Sequence, residues 1–446
     1  MKKTIIDFLH FDCPTQEQKT VLNAIQKFTE NDNIDDFIIM CGAAGTGKTS
    51  VVSSIIGYLE HINKNYKIAA PTGRAARIIG RKSQCITSTI HSMIYIPESD
   101  KSSGNVSFKL KTNNEKEITY FIVDEASMIS KSPSNENALF QTEKGLLDDL
   151  ITFIKDGNTK NKIIFIGDHY QLPPINENKS FALNEESLKN IYKMRGSSYE
   201  LTEVKRQDDG SYILKNATEI REAIDLNKKH HEIRGNSNRN VWSATQKYAR
   251  EYKQNGPGQA VAINVSHKQG MMFNELVRKN IYGASKRILQ KGDLLMVNRN
   301  WTRNEEVLYN GDHVELLDVD WNLQENVAGL NFVAVKIKRI LDDNAEIIED
   351  YAIIETLVNP GGALDPRKEK ELRRARFAKN KILRETSKPS DDRYIGALHL
   401  VYGHAITCNK AQGGEWDKVY INTFGIPNLR WQYTAVTRGI NEIEKF

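Results

Sequence analysis

Gly42-Ala43-Ala44-Gly45-Thr46-Gly47-Lys48-Thr49 stands directly after the apolar run Phe37-Ile38-Ile39-Met40-Cys41 and directly before the helical run Ser50–Tyr58. The spacing is GxxxxGK[ST], and the chemistry of phosphate binding requires these residue types. Glycines let backbone N–H groups wrap phosphates, and a helix N-terminus adds positive potential. Lys48 is placed to reach the β- and γ-phosphates of a nucleotide, and the Thr49 hydroxyl to ligate Mg²⁺. Gly42, Ala43, Ala44, Gly45, Thr46, Gly47 and Ser50 complete the expected cradle. A chance match in a chain of 446 residues is on the order of a per cent. The stretch therefore decides the fold: a buried strand, a phosphate loop and a helix, the opening unit of a parallel α/β sheet.

Working outward, the same strand–loop–helix rhythm recurs. Tyr66–Ala70, Tyr120–Val123 and Ile163–Ile166 read as buried strands, each followed by a loop rich in Gly, Pro, Thr or Asp. A second set begins at Ala260–Ile263 and Asp293–Val297 and resumes at His399–Ile406 and Val419–Ile421. Two α/β domains are expected, each with an insertion. In the first insertion, Asn105–Lys111, the Asn113-Asn114 turn and Glu117–Tyr120 read as a hairpin. In the second, Tyr309-Asn310-Gly311-Asp312 is a turn signal. Strand candidates at 313–319, 331–341 and 345–357 follow it and predict a small antiparallel barrel. Residues 364–386 read as a highly charged helix. No internal repeat and no low-complexity tract is visible.

Composition bounds the function. Hydrophobic residues make up 39% and charged residues 27%, which excludes wholesale disorder. No run approaches the roughly 20 apolar residues of a membrane span, and the start of the chain does not read as a cleaved signal. Four cysteines (Cys13, Cys41, Cys85, Cys408) show no metal spacing and fit a reducing, cytoplasmic compartment. The net charge of +5 is too mild to identify a nucleic-acid partner. It lies wholly in residues 359–393, which hold 11 Lys/Arg against 6 Asp/Glu; the rest of the chain is neutral.

Two further strand ends carry chemistry. Asp124, in Val123-Asp124-Glu125-Ala126-Ser127, is placed to hold Mg²⁺ through its waters, and Glu125 to polarise the water attacking a γ-phosphate. Alone, an Asp-Glu pair is usually a solvated loop; beside a phosphate loop it reads as catalytic. In Gly167-Asp168-His169-Tyr170-Gln171, Gln171 is placed to sense the γ-phosphate or to orient water.

These three strand ends resemble motifs I, II and III of superfamily 1 helicases, and the other motifs follow in order. Ala70–Ala76 resembles motif Ia, Ser88–Ser92 motif Ib, Leu201–Arg206 motif IV, His404–Gly413 motif V and Tyr433–Arg438 motif VI. The resemblance runs from about Gln18 to Arg438 and is nearest the superfamily 1B branch, the RecD and Dda types. Asn409 departs from it, because that branch usually has His before the lysine of motif V. The resemblance implies ATP and Mg²⁺ as cofactors and gives Gln18 as the adenine-reading residue, with Gln16 as its only rival and a surface residue at a helix start as the plain alternative. Arg206 and Arg438 would reach the γ-phosphate, and Gln412 and Gly413 would line the nucleotide site. Contacts to DNA would come from Pro71, Thr72, Thr89, His91, His169 and Tyr170 in the first domain. In the second they would come from Ser266, His267, Lys268, Thr407, Asn409 and Lys410. Taken alone, His91 would read as structural.

The expected architecture is two RecA-like parallel-sheet motor domains, 1A (1–94 and 120–205) and 2A (206–308 and 394–446). A pin hairpin 1B (95–119) carries Phe108 toward the first base pair; otherwise that ring is tucked against its own domain. Domain 2B (309–393) is an SH3-like barrel with a charged tower. That helix reads by itself as a solvated, ion-paired face, or as a brace or DNA-backbone contact. The function expected is an ATP-dependent DNA helicase that moves on single-stranded DNA and opens forked duplex, as a monomer, with no membrane association. The 5′-to-3′ direction comes from the branch alone. Replication, repair and recombination are the processes implied, with their proteins as partners. Three rivals stay open: an RNA helicase, a nucleotide-switched DNA-binding or loader protein, and a helicase subunit of a nuclease complex.

Overall fold

Residue alternation within the first strands sets the layers. In Phe37–Gly42, side chains 37, 39 and 41 enter one apolar cluster, and 38 and 40 the other. Thr119–Val123 and Lys162–Gly167 divide in the same way, so the sheet is buried on both faces. The structure is a computed structural model. It describes residues 3–11, 13–30, 32–99, 106–133, 140–141, 144–203, 212–283, 287–304, 306–340 and 346–446. It has two compact units, whose described residues come from Met1–Glu98 with Val106–Asp209, and from Ser99 with Gly210–Phe446.

The first unit holds a six-stranded sheet in the order Thr87–Thr89, Asn65–Ala70, Thr119–Val123, Lys162–Gly167, Phe37–Gly42, Gly196–Leu201. Every pairing in it is parallel, with Ile39 opposite Phe165 and Ile122 opposite Ile164. Helix Gln16–Phe28 lays Val21, Leu22, Ile25 and Phe28 against one face, and Leu146–Gly157 lays Leu147, Leu150, Ile151 and Ile154 against the other. All the loops that carry the motifs therefore leave one edge of the sheet.

The expected hairpin of the first insertion is corrected here. Thr119–Val123 is an inner strand of the main sheet, while Val106–Leu110 stands between Tyr95–Ser99 and Phe140–Gln141 in a separate three-stranded sheet. An apolar strand buried on both faces outcompetes a local hairpin, because it removes more surface from water.

In the second unit, Asn236–Ser237, Gly439–Lys445, Trp416–Ile421, Ala260–Asn264 and Ala405–Thr407 form a five-stranded parallel sheet. A five-stranded antiparallel sheet follows the order Ile347–Ile353, Leu330–Arg339, His313–Val327, Leu294–Val297, Leu400–Tyr402. Its two outer edges meet: Leu398 N donates to Tyr351 O at 2.7 Å and Ile353 N to Leu398 O at 3.0 Å. The sheet curls around Leu295, Val297, Val314, Leu316, Val333, Val335 and Ile337. This corrects the sequence reading in two places. Leu294–Val297 and Leu400–Tyr402 belong to this sheet and not to the parallel one, and His313–Val327 continues well beyond residue 319.

The charged segment is two helices, Pro366–Lys379 and Lys381–Thr386. Asp365 caps the first, whose opening proline lacks an N–H that would be unpaired there anyway; Asn380 breaks the run and caps the second. The first helix packs on its own unit. Glu369 is buried and bonded to Arg299 at 2.7 Å, and Arg376 is paired with buried Asp392 at 2.8 Å. Among the described residues no helix is long and apolar enough to cross a membrane.

Candidate functional site

The phosphate loop is shaped by two glycines that cannot be replaced. A Cβ on Gly42 would stand 2.7 Å from Thr46 Oγ1. Gly47 has φ +82°, and a Cβ there would meet Gln18 Nε2 at 2.8 Å. Helix Lys48–His61 starts on that left-handed residue, so its first N–H groups face the loop. Lys48 Nζ donates to the carbonyl oxygens of Gly42 at 2.6 Å and Ala43 at 3.0 Å, and Thr46 Oγ1 donates to Ala43 O at 2.9 Å. Thr49 and Ser50 form the first turn, both half-buried.

Asp124 and Glu125 leave strand Thr119–Val123, two strands from the phosphate loop. Asp124 N donates to Ala69 O at 3.0 Å, which ties this end to that of Asn65–Ala70. Burial, with the adjacent Glu125 charge, pushes the Asp124 carboxyl upward, against the pull of Lys48 and Lys82. Glu125 has φ +50°, a left-handed backbone that costs a non-glycine residue on the order of 1 kcal/mol. The turn Ala126–Met128 holds it there, with Met128 N donating to Glu125 O. Strain held at a carboxylate beside a phosphate loop points to a fixed aim for that side chain.

The third loop adds an unmatched acceptor. Asp168 is buried and its Oδ1 accepts from Tyr170 N at 3.0 Å, while Gln171 N donates to Asp168 O. Gln171 is also buried, yet its Oε1 has no hydrogen-bond partner among the described residues, and neither has Ser127 Oγ. A Cβ on Gly167 would lie 3.2 Å from Ser127 N, so the second and third strand ends abut. Unmatched buried polar atoms beside a phosphate loop suit a polar ligand bearing N–H, O–H or water.

Gln18 is 1% exposed and already engaged. Its Oε1 accepts from Thr15 N at 2.9 Å and its Nε2 donates to Thr46 O at 3.0 Å. It caps helix Gln16–Phe28 and props the phosphate loop. Sequence reasoning missed its neighbour, Glu17. The Glu17 carboxylate accepts from Thr202 N at 2.6 Å, Thr202 Oγ1 at 2.5 Å and Glu203 N at 3.1 Å, gripping the start of the stretch that leads to Arg206. Burial opposes its ionisation, but the bonds from Thr202 and Glu203 outweigh that and hold the carboxyl below its usual value. Arg206 itself lies outside the described residues.

Of the first-unit candidates for DNA contact, Pro71 and Thr72 follow strand Asn65–Ala70, Thr89 ends strand Thr87–Thr89 and His91 follows it. Thr72 Oγ1 accepts from Ala75 N, and Thr89 Oγ1 from Ser92 N, so both hydroxyls cap helices; Thr89 is buried. His91 is exposed. His169 and Tyr170 lie ring to ring at 4.2 Å, and His169 Nε2 stands 3.6 Å from Glu200. Phe108 lies on strand Val106–Leu110, with its side chain outside the described residues.

In the second unit, Arg438 follows helix Leu429–Val436 and is buried, with no carboxylate partner among the described residues. Its guanidinium donates to Thr434 O, Gly414 O and Thr437 Oγ1 at 3.1–3.2 Å. Gln412 is buried and Gly413 has φ +71°. Ser266 caps helix His267–Tyr282 from the end of Ala260–Asn264, and His267 and Lys268 are exposed in its first turn. Thr407 ends the neighbouring strand, with half-buried Asn409 on the short helix Cys408–Ala411. Lys410 Nζ donates to Asn298 Oδ1 at 3.1 Å and Asn310 Oδ1 at 2.8 Å. Burial brings its pKa down to about 8. His267, Thr407 and Lys410 line one pocket with Asn298, Asn359 and Gly361. Asn298 and Asn310 were not singled out from sequence; the Tyr309–Asp312 turn was the available signal.

Comparison with known proteins bears on the family and the fold. The family model described as AAA domain matches residues 15–238, and that of the UvrD-like helicase C-terminal domain matches 402–440. The ATP-dependent DNA helicase Dda of Enterobacteria phage T4 is 30% identical over 215 residues, 47% of this chain and 43% of that protein. The ATP-dependent RecD2 DNA helicase of Deinococcus radiodurans is 25% identical over 138 residues, 31% of this chain and 16% of that protein. The chain thus spans less than half the length of these relatives. The structure of Pif1 helicase from Bacteroides in complex with ADP-AlF3 and ssDNA shares the fold: TM-score 0.53, 17% identity, 98% of this chain and 92% of that one covered. The chain belongs to this AAA-domain family and stands among the superfamily 1B helicases.

Proposed function

We propose that the protein is an ATP-dependent DNA helicase that translocates on single-stranded DNA and unwinds forked duplex. The observation that carries this is the meeting, on one sheet edge, of the Lys48 loop, the strained Glu125 and the unmatched Gln171 amide. The residues fit ATP and Mg²⁺. Gly42 and Gly47 permit a tight loop that a side chain would break by clashing with Thr46 and Gln18, and Thr49 and Asp124 offer a hydroxyl and a carboxylate of the kind that hold Mg²⁺ together with waters and phosphate oxygens. Among the described residues no cluster of three or more His, Cys, Asp or Glu could hold a metal ion alone. The bound cation would neutralise phosphate charge and favour the ionised form of Asp124.

Each residue then has a task. Lys48 exchanges its two carbonyl partners for phosphate oxygens. Glu125 polarises the attacking water, Gln171 orients it, and Arg206 and Arg438 stabilise charge on the transferring group. Among the described residues Arg438 donates to neutral acceptors alone, so no ion pair there opposes an exchange of partners. Gln18 contributes by bracing the loop as well as through the adenine edge. The DNA track is assigned to Pro71, His91, His169 and Tyr170, and to Ser266, His267, Lys268, Thr407, Asn409 and Lys410. Residues 95–119 act as the pin, and the curled antiparallel sheet with its charged helices as an SH3-like domain 2B. The 5′-to-3′ direction follows the branch, and replication, repair or recombination is the setting.

Hydrolysis stimulated by poly-dT but not by poly-U, and lost in Lys48→Ala, is the expected result. Stimulation by poly-U alone would replace this reading with the RNA helicase.

A further inference from the structure

The second parallel sheet sends all its C-terminal ends to one edge. The loop after Trp416–Ile421, residues 422–428, has no part in the site above, yet it carries Phe424, which is 79% exposed. Single exposed apolar side chains are common. This one differs because its backbone is fixed on both sides. Phe424 N donates to Asn422 Oδ1 at 3.0 Å, and Asn422 Nδ2 to Asn264 Oδ1 at 3.0 Å. Phe424 O accepts from Gln269 Nε2 at 3.3 Å. Gln269 Oε1 in turn accepts from Val265 N at 3.2 Å and Ser266 N at 3.1 Å. One glutamine side chain thus ties the loop of Phe424 to the loop of Ser266 and His267. The ring is held out in water on a platform that needs no ordering when something stacks on it.

A second observation lies beside it. Thr423, Gly425 and Ile426 rim a pocket whose walls include His231, Lys445 and Gln432. Gln432 is 2% exposed; its Nε2 donates to His231 O at 3.0 Å, but its Oε1 has no partner among the described residues. A buried amide oxygen left unmatched is costly, and an N–H donor from a ligand would satisfy it. A nucleobase provides both a face for Phe424 and an N–H edge for Gln432.

We infer that this loop and pocket bind one base of the single strand, Phe424 stacking on its face and Gln432 Oε1 accepting from its edge. The inference rests on the helicase reading and extends its DNA track past Ser266. Gln432 sits on helix Leu429–Val436, which leads to Arg438, so an occupied base pocket and the arginine share one rigid element.

The test is fluorescence anisotropy of the full chain with labelled oligo-dT and with an abasic strand of equal length. The abasic strand keeps the phosphates and removes the bases. Phe424→Ala should weaken oligo-dT binding about tenfold and change abasic binding less than about twofold. Gln432→Leu should weaken oligo-dT binding selectively as well; should it fail to fold, Phe424→Ala decides alone, since an exposed ring has no packing to lose. Equal oligo-dT binding by Phe424→Ala and the parent, or equal losses on both strands, overturns the inference. A parent that binds neither strand sinks the helicase reading itself, which separates the two failures.

Discussion

The two parallel sheets treat buried charge differently. At the edge of the first, burial and the Glu125 charge push the Asp124 carboxyl upward while Lys48 pulls against them. At the edge of the second, two cations stand among neutral groups, Arg438 on two carbonyls and a hydroxyl and Lys410 on two asparagines, while Lys445 is paired with Glu232. A compact set of opposite charges is suited to gripping a polyphosphate and its metal in fixed geometry. A cation held by neutral acceptors is free to change partner, because no ion pair has to break, and Lys48, on the carbonyls of Gly42 and Ala43, shares that freedom with Arg438 and Lys410. The two edges differ in their acids: the Asp124–Glu125 pair makes the first a fixed catalytic edge, while Arg438 and Lys410 make the second a responsive one.

The hardest blow to this contrast falls on the fixed edge. Lys48→Ala or Glu125→Gln should lower ATP turnover by roughly a thousandfold or more, with oligo-dT binding retained, in a coupled ATPase assay paired with anisotropy. Substantial hydrolysis in both variants would remove the catalytic assignment. Next is the responsive edge. Arg438→Ala should cost about a hundredfold or more in kcat, with a smaller change in ATP affinity. An equal loss in binding and turnover would make Arg438 a ground-state anchor instead.

A smaller effect tests Glu17, which joins the phosphate-loop helix to the stretch before Arg206. Glu17→Gln should lower kcat about three- to tenfold, since it keeps the shape and weakens the charged hydrogen bonds to Thr202 and Glu203. Unchanged kcat would reduce Glu17 to a surface residue.

The smallest effect is a pH dependence. With its pKa near 8, Lys410 is charged at pH 7 and mostly neutral at pH 9. Single-strand affinity should fall about threefold over that window in the parent and stay flat in Lys410→Met. For folding the sign is opposite. The unfolded chain, with this lysine near 10.5, binds more protons between pH 8 and 10.5, so the group's contribution to stability rises with pH there. A parent whose affinity does not vary with pH would place Lys410 off the track.

How much of this was legible beforehand follows from where the signals lie. Gly42–Thr49 and the apolar runs beside it fixed the first sheet, because a phosphate loop needs its residues consecutive in the chain. Leu294–Val297 and Leu400–Tyr402 misled because a strand buried on both faces has the same composition in a parallel or an antiparallel sheet. The sheet joining Val106–Leu110 to Phe140–Gln141 depends on a pairing between distant segments that no local pattern encodes. Within the site, the motif residues could be singled out because each motif is a short consecutive run. Glu17, Asn298, Asn310 and Phe424 were missed because each acts through contacts between distant segments or through bare exposure.

The central claim is that ATP turnover at the first sheet edge drives one strand past the other. Strand displacement on duplexes bearing only a 5′ or only a 3′ single-stranded tail tests it most directly. ATP-dependent unwinding of the 5′-tailed duplex, absent in Lys48→Ala, is the predicted result. DNA-stimulated hydrolysis with no displacement of either duplex would contradict it and leave a nucleotide-switched DNA-binding protein.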